Sequence, residues 1–106
     1  MTHGISGTDD TLVICVNGRL DANSVPEIEA DIADRLDGVT DLTVDLRGVN
    51  YVSSLGLRFL LALRKRMFKQ GDMHVINVRD NVMELFEDTG FTQLMTISPV
   101  GGNTYT

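Results

Sequence analysis

The stretch from Asp41 to Gln70 constrains the fold more than any other part of the chain. It opens with Leu42–Leu46, where apolar and polar residues alternate as in a short β-strand. Arg47–Asn50 contains a glycine and an asparagine and predicts a loop. Ser53 and Ser54 precede apolar residues that recur at helical spacing. These are Leu57, Phe59, Leu60, Leu61, Leu63, Met67 and Phe68. The stretch therefore predicts a strand, a loop and a helix whose first turn carries two hydroxyl groups.

The N-terminus of this helix has a chemical property of its own. Serine is a preferred N-cap, because its oxygen accepts a hydrogen bond from a free N–H group of the first turn. The free N–H groups and the helix dipole also stabilise a phosphate by about 0.3–2 kcal/mol. A phosphate on Ser53 or Ser54 would add about −1.5 to −2 charge. The serines are therefore either caps alone or acceptors in a phosphorylation switch.

Length and charge restrict the class of protein. A chain of 106 residues is one domain, here predicted to span 1–106 with a tail from Pro99 to Thr106. The net charge of −6 argues against non-specific binding to nucleic acid. Cys15 is the only cysteine, so no intrachain disulfide is possible. The sequence lacks both an apolar run of about 18 residues and the pattern of a signal peptide. We therefore expect a cytoplasmic protein with no membrane span.

Two strands are predicted before the central stretch. His3–Ser6 fits a short edge strand, and Thr11–Val16 fits a stronger one because it is apolar and rich in β-branched residues. Its continuous apolar run indicates a strand covered on both faces. Cys15 is then a small buried side chain. Arg19–Ala22 follows as a predicted loop.

A helix is predicted after this loop. Ser24 and Glu27 have the spacing of a capping box, Pro26 suits the first turn, and Gly38 ends the helix. The predicted buried stripe consists of Val25, Ile28, Ile32 and Leu36. The opposite face is acidic and carries Glu27, Glu29, Asp31, Asp34 and Asp37. Because no histidine or cysteine accompanies these carboxylates, the pattern is typical of a solvated face and not of a metal site.

Strands and helices also alternate after the central stretch. Gln70–Asp72 predicts a turn and Met73–Val78 another strand. Asp80 is predicted to cap a third helix that stops at Gly90. Phe91–Ile97 leads into a last short strand or a docked segment.

Alternating strands and helices in so short a chain predict an α/β layer fold with right-handed crossovers between parallel strands. Sites in open α/β sheets lie at the carboxyl ends of the strands. The polar residues predicted at those ends are Arg19, Asp21, Asn50, Ser53 and Ser54. The same edge is therefore predicted to carry the functional site.

Enzymatic motifs are weak. His3 and His74 lie outside the predicted strand-to-helix loops, so neither is placed to form a triad with a serine. The chain lacks the Gly-x-Ser-x-Gly elbow of hydrolases, a Gly-rich phosphate loop and metal-ligand spacing. We therefore predict no catalytic residue, no metal and no cofactor.

Four motifs together resemble the STAS domain, and more narrowly the bacterial anti-sigma-factor antagonists. They are Asn17–Asp21, Val44–Val49, Val52–Arg58 and Glu87–Phe91, and the resemblance extends from about Gly4 to Ile97. Each motif is short, but their joint order and spacing are fairly specific. The resemblance implies a mostly parallel sheet of four or five strands with about four helices packed alongside. This agrees with the fold predicted from the residue pattern.

The resemblance also implies a partner-switching protein and not an enzyme. Such a protein binds a Ser/Thr kinase that doubles as an anti-sigma factor and thereby frees the sigma factor. The kinase phosphorylates a hydroxyl at the start of the second long helix, which breaks the complex, and a PP2C-type phosphatase restores it. A dianion in a packed interface is costly to desolvate and repels nearby carboxylates, so the scheme is physically reasonable.

One departure from the common family pattern, Asp-Ser-Ser/Thr-Gly-Leu, affects the expected acceptor. Leu55 stands directly before Gly56, where the family usually has the acceptor hydroxyl. Ser53 takes the place of the Asp and Ser54 that of the first Ser, so Ser54 is the first candidate acceptor and Ser53 the second. Leu55 is expected to be partly exposed, because the apolar stripe does not require it. The predicted partner-binding residues are Arg19, Asp21, Asn50, Leu55, Gly56 and Arg58.

Two alternatives remain open at this point. The chain fits a non-phosphorylated STAS interaction module, belonging to a signalling scaffold or accompanying a membrane transporter. The same helix N-terminus also fits a domain that binds a small ligand or nucleotide.

Overall fold

The computed structural model describes residues 2–100 and contains one five-stranded sheet with four helices. The strands are β1 (Thr2–Gly7), β2 (Thr11–Leu20), β3 (Asp41–Val52), β4 (Asp72–Val78) and β5 (Thr96–Pro99). The helices are α1 (Val25–Ile32), α2 (Ser54–Phe68), α3 (Asp80–Asp88) and α4 (Phe91–Leu94). The strands lie in the order β1-β2-β3-β4-β5, with β1 antiparallel to β2 and the other neighbours parallel. The predicted α/β fold is confirmed.

Helices cover one face of the sheet. Leu12, Leu42 and Met73 are neighbours across β2, β3 and β4, and all three are buried. They belong to a single apolar cluster that includes Ile28 of α1 and Phe86 of α3. Because side chains alternate along a strand, the intervening residues point to the other face.

That other face is only partly covered. Val13, Thr43 and Cys15 are half-exposed, and His74 is exposed. The expectation that the Thr11–Val16 strand is covered on both faces is therefore wrong, because the helices form a single layer. Partial burial, and then the neighbouring Asp45 carboxylate, raise the pKa of the Cys15 thiol. The thiol is thus less readily ionised than a free cysteine.

The central strands continue through segments that were predicted as loops. Arg47–Asn50 lies within β3, and Arg19 and Leu20 lie within β2. The parallel ladder accommodates the glycines by shifting register instead of ending. A Cβ at Gly48 would lie 1.9 Å from the Asn17 side-chain oxygen and 3.2 Å from the Asn17 Cα, so a larger residue here would displace the Asn17 side chain. The glycine and asparagine residues of these segments therefore lie where the pairing of β2 with β3 is irregular, and not in a loop.

The start of α1 differs from the predicted capping box. Ser24 is buried and makes no cap hydrogen bond. Its hydroxyl donates to the Arg19 carbonyl at 2.7 Å and accepts the Asp21 N–H at 3.0 Å. It therefore fixes the turn between β2 and α1. The helix also ends at Ile32, before the predicted stop at Gly38.

The C-terminal third contains further corrections. Asp80 is the first residue of α3, and the N-cap is Arg79. The expected last segment contains both α4 and β5. The predicted tail begins too early, because Pro99 pairs with Val78 and the Val100 N–H donates to the Val78 carbonyl at 3.0 Å. Residues 101–106 lie outside the described residues.

Within residues 2–100, none of the helices combines the length and the apolar character needed to cross a membrane.

Candidate functional site

Ser53 fixes the start of α2 against the end of β2. Its extended backbone (φ −83°, ψ 174°) lets its hydroxyl accept the Gly56 N–H at 3.2 Å. Its own N–H donates to the Leu20 carbonyl at 2.9 Å. The prediction that a serine caps this helix is confirmed for Ser53, which is half-buried.

Ser54 is the first residue of α2 and has a different environment. Its side chain is exposed and, within the described chain, its hydroxyl makes no hydrogen bond. No acidic residue lies in the first turn of α2, whereas the last turn carries Lys65 and Arg66. The positive end of the helix dipole at Ser54 is therefore not neutralised by a carboxylate of the helix's own first turn. An added phosphate at this position would meet an electrostatically favourable helix terminus.

Gly56 brings the first turn of α2 onto the sheet. It is buried, and a Cβ built on it would lie 2.4 Å from the Leu20 carbonyl oxygen and 3.0 Å from a Val52 methyl. Any larger residue would push the helix off the strand. Gly56 therefore positions the first turn of α2, and its contact with a partner stays a prediction.

Leu55 and Arg58 line a shallow groove between α1 and α2. The groove has a volume of about 160 Å³, and its α1 wall includes Pro26 and Glu29. Leu55 is half-buried, which confirms its expected partial exposure, and Arg58 is exposed. The groove begins one residue from Ser54. A partner that reaches Ser54 would therefore meet an apolar side chain flanked by one basic and one acidic group.

Arg19 forms a second cluster beside the serines. The Arg19 guanidinium lies 4.1 Å from the centroid of the Tyr51 ring, and its Nε donates to Asp21 Oδ2 at 3.1 Å. The Arg19 side chain is 60% exposed and the Tyr51 residue 42% exposed. Because the Ser53 N–H donates a hydrogen bond to the carbonyl of Leu20, the neighbouring Arg19 guanidinium and the Tyr51 ring lie next to the start of α2.

Asp21 is more deeply involved in the fold than Arg19. Its Oδ1 accepts the N–H groups of Asn23 and Ser24 at 3.0 and 3.3 Å, and its side chain is only 16% exposed. Desolvation raises the pKa of this carboxyl. The hydrogen bonds from the two amides and from Arg19 outweigh that effect and hold the pKa below its ordinary value. Asp21 is thus a charged support for the turn between β2 and α1.

Asn50 lies at the same sheet edge but faces α3. Its carbonyl accepts a hydrogen bond from the Asn81 side chain at 2.8 Å, and the residue itself is exposed. The structure therefore brings Arg19, Asp21 and the two serines together and leaves Asn50 on the α3 side.

Residues that the sequence reasoning missed complete the site. Tyr51 pairs with Arg19 in the β2–β3 register, and that register shifts twice along the two strands. Pro26 and Glu29 enter only because α1 lies beside α2. Among these residues, only Tyr51 could have been noticed in the sequence, because it is a large side chain immediately before Val52 and the two serines.

Nucleophile–base geometry does not occur around the serines in the described part of the chain. His3 pairs through Nε2 with Asp31 of α1, and His74 lies on β4 opposite Thr43. Across residues 2–100, no group of three His, Cys, Asp or Glu side chains is arranged to hold a metal ion.

A mostly parallel sheet covered on one face, with a hydroxyl-bearing helix terminus at its edge, defines the class as an α/β domain. The family model of the STAS domain matches residues 4–102. The anti-sigma-B factor antagonist of Staphylococcus aureus is 34% identical over 85 residues, which cover 78% of this chain and 79% of the relative. The chain belongs to the STAS family, among the anti-sigma factor antagonists.

Solved structures share this fold. The unphosphorylated anti-sigma factor antagonist SpoIIAA superposes with a TM-score of 0.79 at 22% identity, covering 91% of this chain and 87% of the other. The phosphorylated form of the Bacillus cell fate determinant SpoIIAA gives a TM-score of 0.72 at 21% identity, covering 91% and 90%. At this level of identity, the likeness establishes the architecture.

Proposed function

We propose that this protein is an anti-sigma factor antagonist that binds a Ser/Thr kinase/anti-sigma factor when unphosphorylated and releases it when Ser54 is phosphorylated. The observation that carries the proposal is the exposed, unbonded Ser54 hydroxyl at the start of α2, next to the groove that contains Leu55. Ser53 is the weaker acceptor, because its hydroxyl already caps the helix. A relative in the same family is named for antagonising an anti-sigma factor, and SpoIIAA has a phosphorylated form.

Phosphorylation would act through charge at the edge of the proposed interface. Arg19, Leu55 and Arg58 are the exposed or half-exposed side chains that flank Ser54 in this proposal. A phosphate adds about −1.5 to −2 charge and a strongly hydrated group. Dehydrating that group in a packed complex is costly, so the partner is released while the fold is retained. A PP2C-type phosphatase would regenerate the binding form, and all these partners act in the cytoplasm.

Mass spectrometry after incubation with the kinase and ATP tests the acceptor. We expect one phosphate on the wild type, none on Ser54→Ala and one on Ser6→Ala, which removes an exposed hydroxyl elsewhere. Full phosphorylation of Ser54→Ala would refute the assignment. Ser53→Thr keeps a cap hydroxyl and is expected to remain a substrate.

Binding of the kinase/anti-sigma factor tests the switch itself. Ser54→Ala should bind as well as the wild type, whereas Ser54→Asp should bind at least tenfold more weakly at an unchanged melting temperature. If the phosphorylated protein binds as tightly as the unmodified one, phosphorylation does not control the complex and the switch is refuted. If the partner binds while neither serine is ever modified, the domain is a non-phosphorylated STAS interaction module instead.

A further inference from the structure

A second surface lies at the other end of α2. Four of the nine Lys and Arg residues of the chain fall between residues 64 and 69, although the net charge is −6. The side chains that line this surface, here called the basic groove, include Leu61, Arg64, Lys65, Phe68, Lys69 and Leu94. The groove has a volume of about 1030 Å³. It is several times larger than the groove beside Leu55, which has a volume of about 160 Å³.

Phe68 is the residue that core packing does not explain. The apolar stripe of the helix was predicted to include it, but the residue is 77% exposed. Leu94 beside it is 49% exposed. Large apolar side chains that share one groove are typical of interaction sites, whereas single exposed ones are common.

The groove is held in shape by its own contacts. Arg64 Nε donates to the Leu94 carbonyl at 2.9 Å, which ties α2 to α4. The Arg64 guanidinium also lies 5.6 Å from the centroid of the Phe68 ring. The aromatic ring is thus positioned before any partner arrives, which lowers the ordering cost of binding.

The charges of the groove are largely unpaired. Arg66 forms an ion pair with Asp37, but neither Lys65 nor Lys69 forms one within the described residues. Cations near a helix C-terminus do compensate the dipole. That role requires neither an exposed Phe68 nor a groove lined by Leu61 and Leu94, so the combination indicates binding of an anionic, partly apolar group.

We propose that the basic groove docks an acidic amphipathic segment of a partner protein, with an apolar side chain of that segment against Phe68 and Leu94 and its carboxylates toward Lys65 and Lys69. A concave surface favours a protein segment over a flat lipid bilayer, and helix-in-groove docking is a common mode of peptide recognition. At about 1.5 Å per residue, Phe68 lies roughly 21 Å along α2 from Ser54. Docking there is therefore independent of the state of Ser54.

The test uses a fluorescent, synthetic helical peptide of about 15 residues with leucines and one phenylalanine on one face and flanking glutamates. We expect saturable binding by the 106-residue protein, detected by anisotropy. Binding should weaken when ionic strength rises from about 0.01 to 1 M, which shortens the Debye length from about 30 to 3 Å. A peptide of the same composition with its apolar residues spread around the helix should not bind.

Matched variants locate the site. Phe68→Ala and the double charge reversal Lys65→Glu/Lys69→Glu should each weaken peptide binding at least about tenfold with an unchanged melting temperature. Arg35→Glu, a charge reversal at an exposed position outside the groove, should leave affinity within about twofold, as should Ser54→Asp. Amide NMR shifts on titration should centre on Leu61, Phe68 and Leu94.

Several outcomes would overturn the proposal. They are absence of saturable binding, binding that the groove variants do not weaken, and amide shifts centred on the first turn of α2. Sedimentation with vesicles containing phosphatidylglycerol separates a membrane role, since vesicle binding that Lys65→Glu/Lys69→Glu abolishes would make the groove a lipid site. If the protein forms a dimer and Phe68→Ala dissociates that dimer, the basic groove is a contact between copies of this chain.

Discussion

Replacing Gly56 with alanine tests whether close helix–strand contact positions the site. The new Cβ would lie 2.4 Å from the Leu20 carbonyl oxygen, which belongs to the backbone and cannot rotate away. That oxygen also accepts the Ser53 N–H at 2.9 Å. The first turn of α2 must therefore move away from β2, and this hydrogen bond is lengthened or lost.

The expected cost follows from three effects. Overpacking of this kind costs about 1–3 kcal/mol, and loss of one partly buried hydrogen bond costs about 0.5–1.5 kcal/mol. The higher helix propensity of alanine offsets this loss of stability by up to about 1 kcal/mol relative to glycine. We therefore expect Gly56→Ala to lower the free energy of unfolding by about 1–3 kcal/mol, which corresponds to roughly 4–12 °C in melting temperature for a domain of this size.

Urea denaturation followed by circular dichroism measures this change, with an unaltered m-value as the sign that the folded state remains compact. Gly4→Ala is the matched control, because a Cβ at Gly4 meets nothing within 4 Å and this residue has no positive φ. If Gly56→Ala unfolds within about 0.5 kcal/mol of the wild type, the contact is not tight and the reasoning is refuted.

Variants at four other positions give further tests. Leu55→Ala should cost only about 1 kcal/mol of stability because the residue is half-buried, yet it should weaken kinase binding clearly; a loss of about 2–5 kcal/mol in urea unfolding would identify a core residue instead. Arg19→Ala should cost less than about 1 kcal/mol and weaken the same binding, measured by calorimetry; unchanged affinity would remove Arg19 from the interface. Asp21→Ala should lower the melting temperature more than Asp21→Asn does, because Asn keeps an oxygen acceptor for the Asn23 and Ser24 amides. The pKa of Asp21 is lower in the folded state than its ordinary value of about 3.8, so the charged carboxylate stabilises the fold above that value. This stabilisation is lost as the pH falls through the lower pKa of the folded state. In unfolding measured over a series of acidic pH values, the stability difference between wild type and Asp21→Asn should therefore shrink, and a constant difference would refute the linkage. Ser53→Ala should cost about 0.5–2 kcal/mol through loss of the cap, and an unchanged denaturation midpoint would contradict that role.

The sequence identified the elements better than it identified their ends. The apolar residues at helical spacing after Ser54 form α2, and the β-branched run before Asn17 forms part of β2, as predicted. The order of strands and helices was therefore predictable. Arg47–Asn50 was predicted as a loop because Gly and Asn favour turns. In the folded chain the neighbouring strand supplies a parallel partner for this segment, and the ladder absorbs the irregularity as register shifts.

Side-chain roles depended on contacts that periodicity does not encode. Ser24 and Glu27 have capping-box spacing, but the Ser24 hydroxyl is satisfied by the Arg19 carbonyl and the Asp21 amide. Phe68 follows the apolar stripe of α2 in spacing but is exposed and lines the groove with Leu94. In both cases the outcome depended on which element the chain folds against.

The strand order has a consequence for how the chain folds. Each strand after β1 pairs with the strand that precedes it in sequence, so the sheet grows in one direction from β1 to β5. Partners such as Leu12 and Leu42, or Leu42 and Met73, are only about 30 residues apart. Loop closure entropy therefore stays small at each step, and no strand must be inserted between two others. The sheet can form progressively during synthesis, with each newly emerged β-strand adding to an edge that already exists.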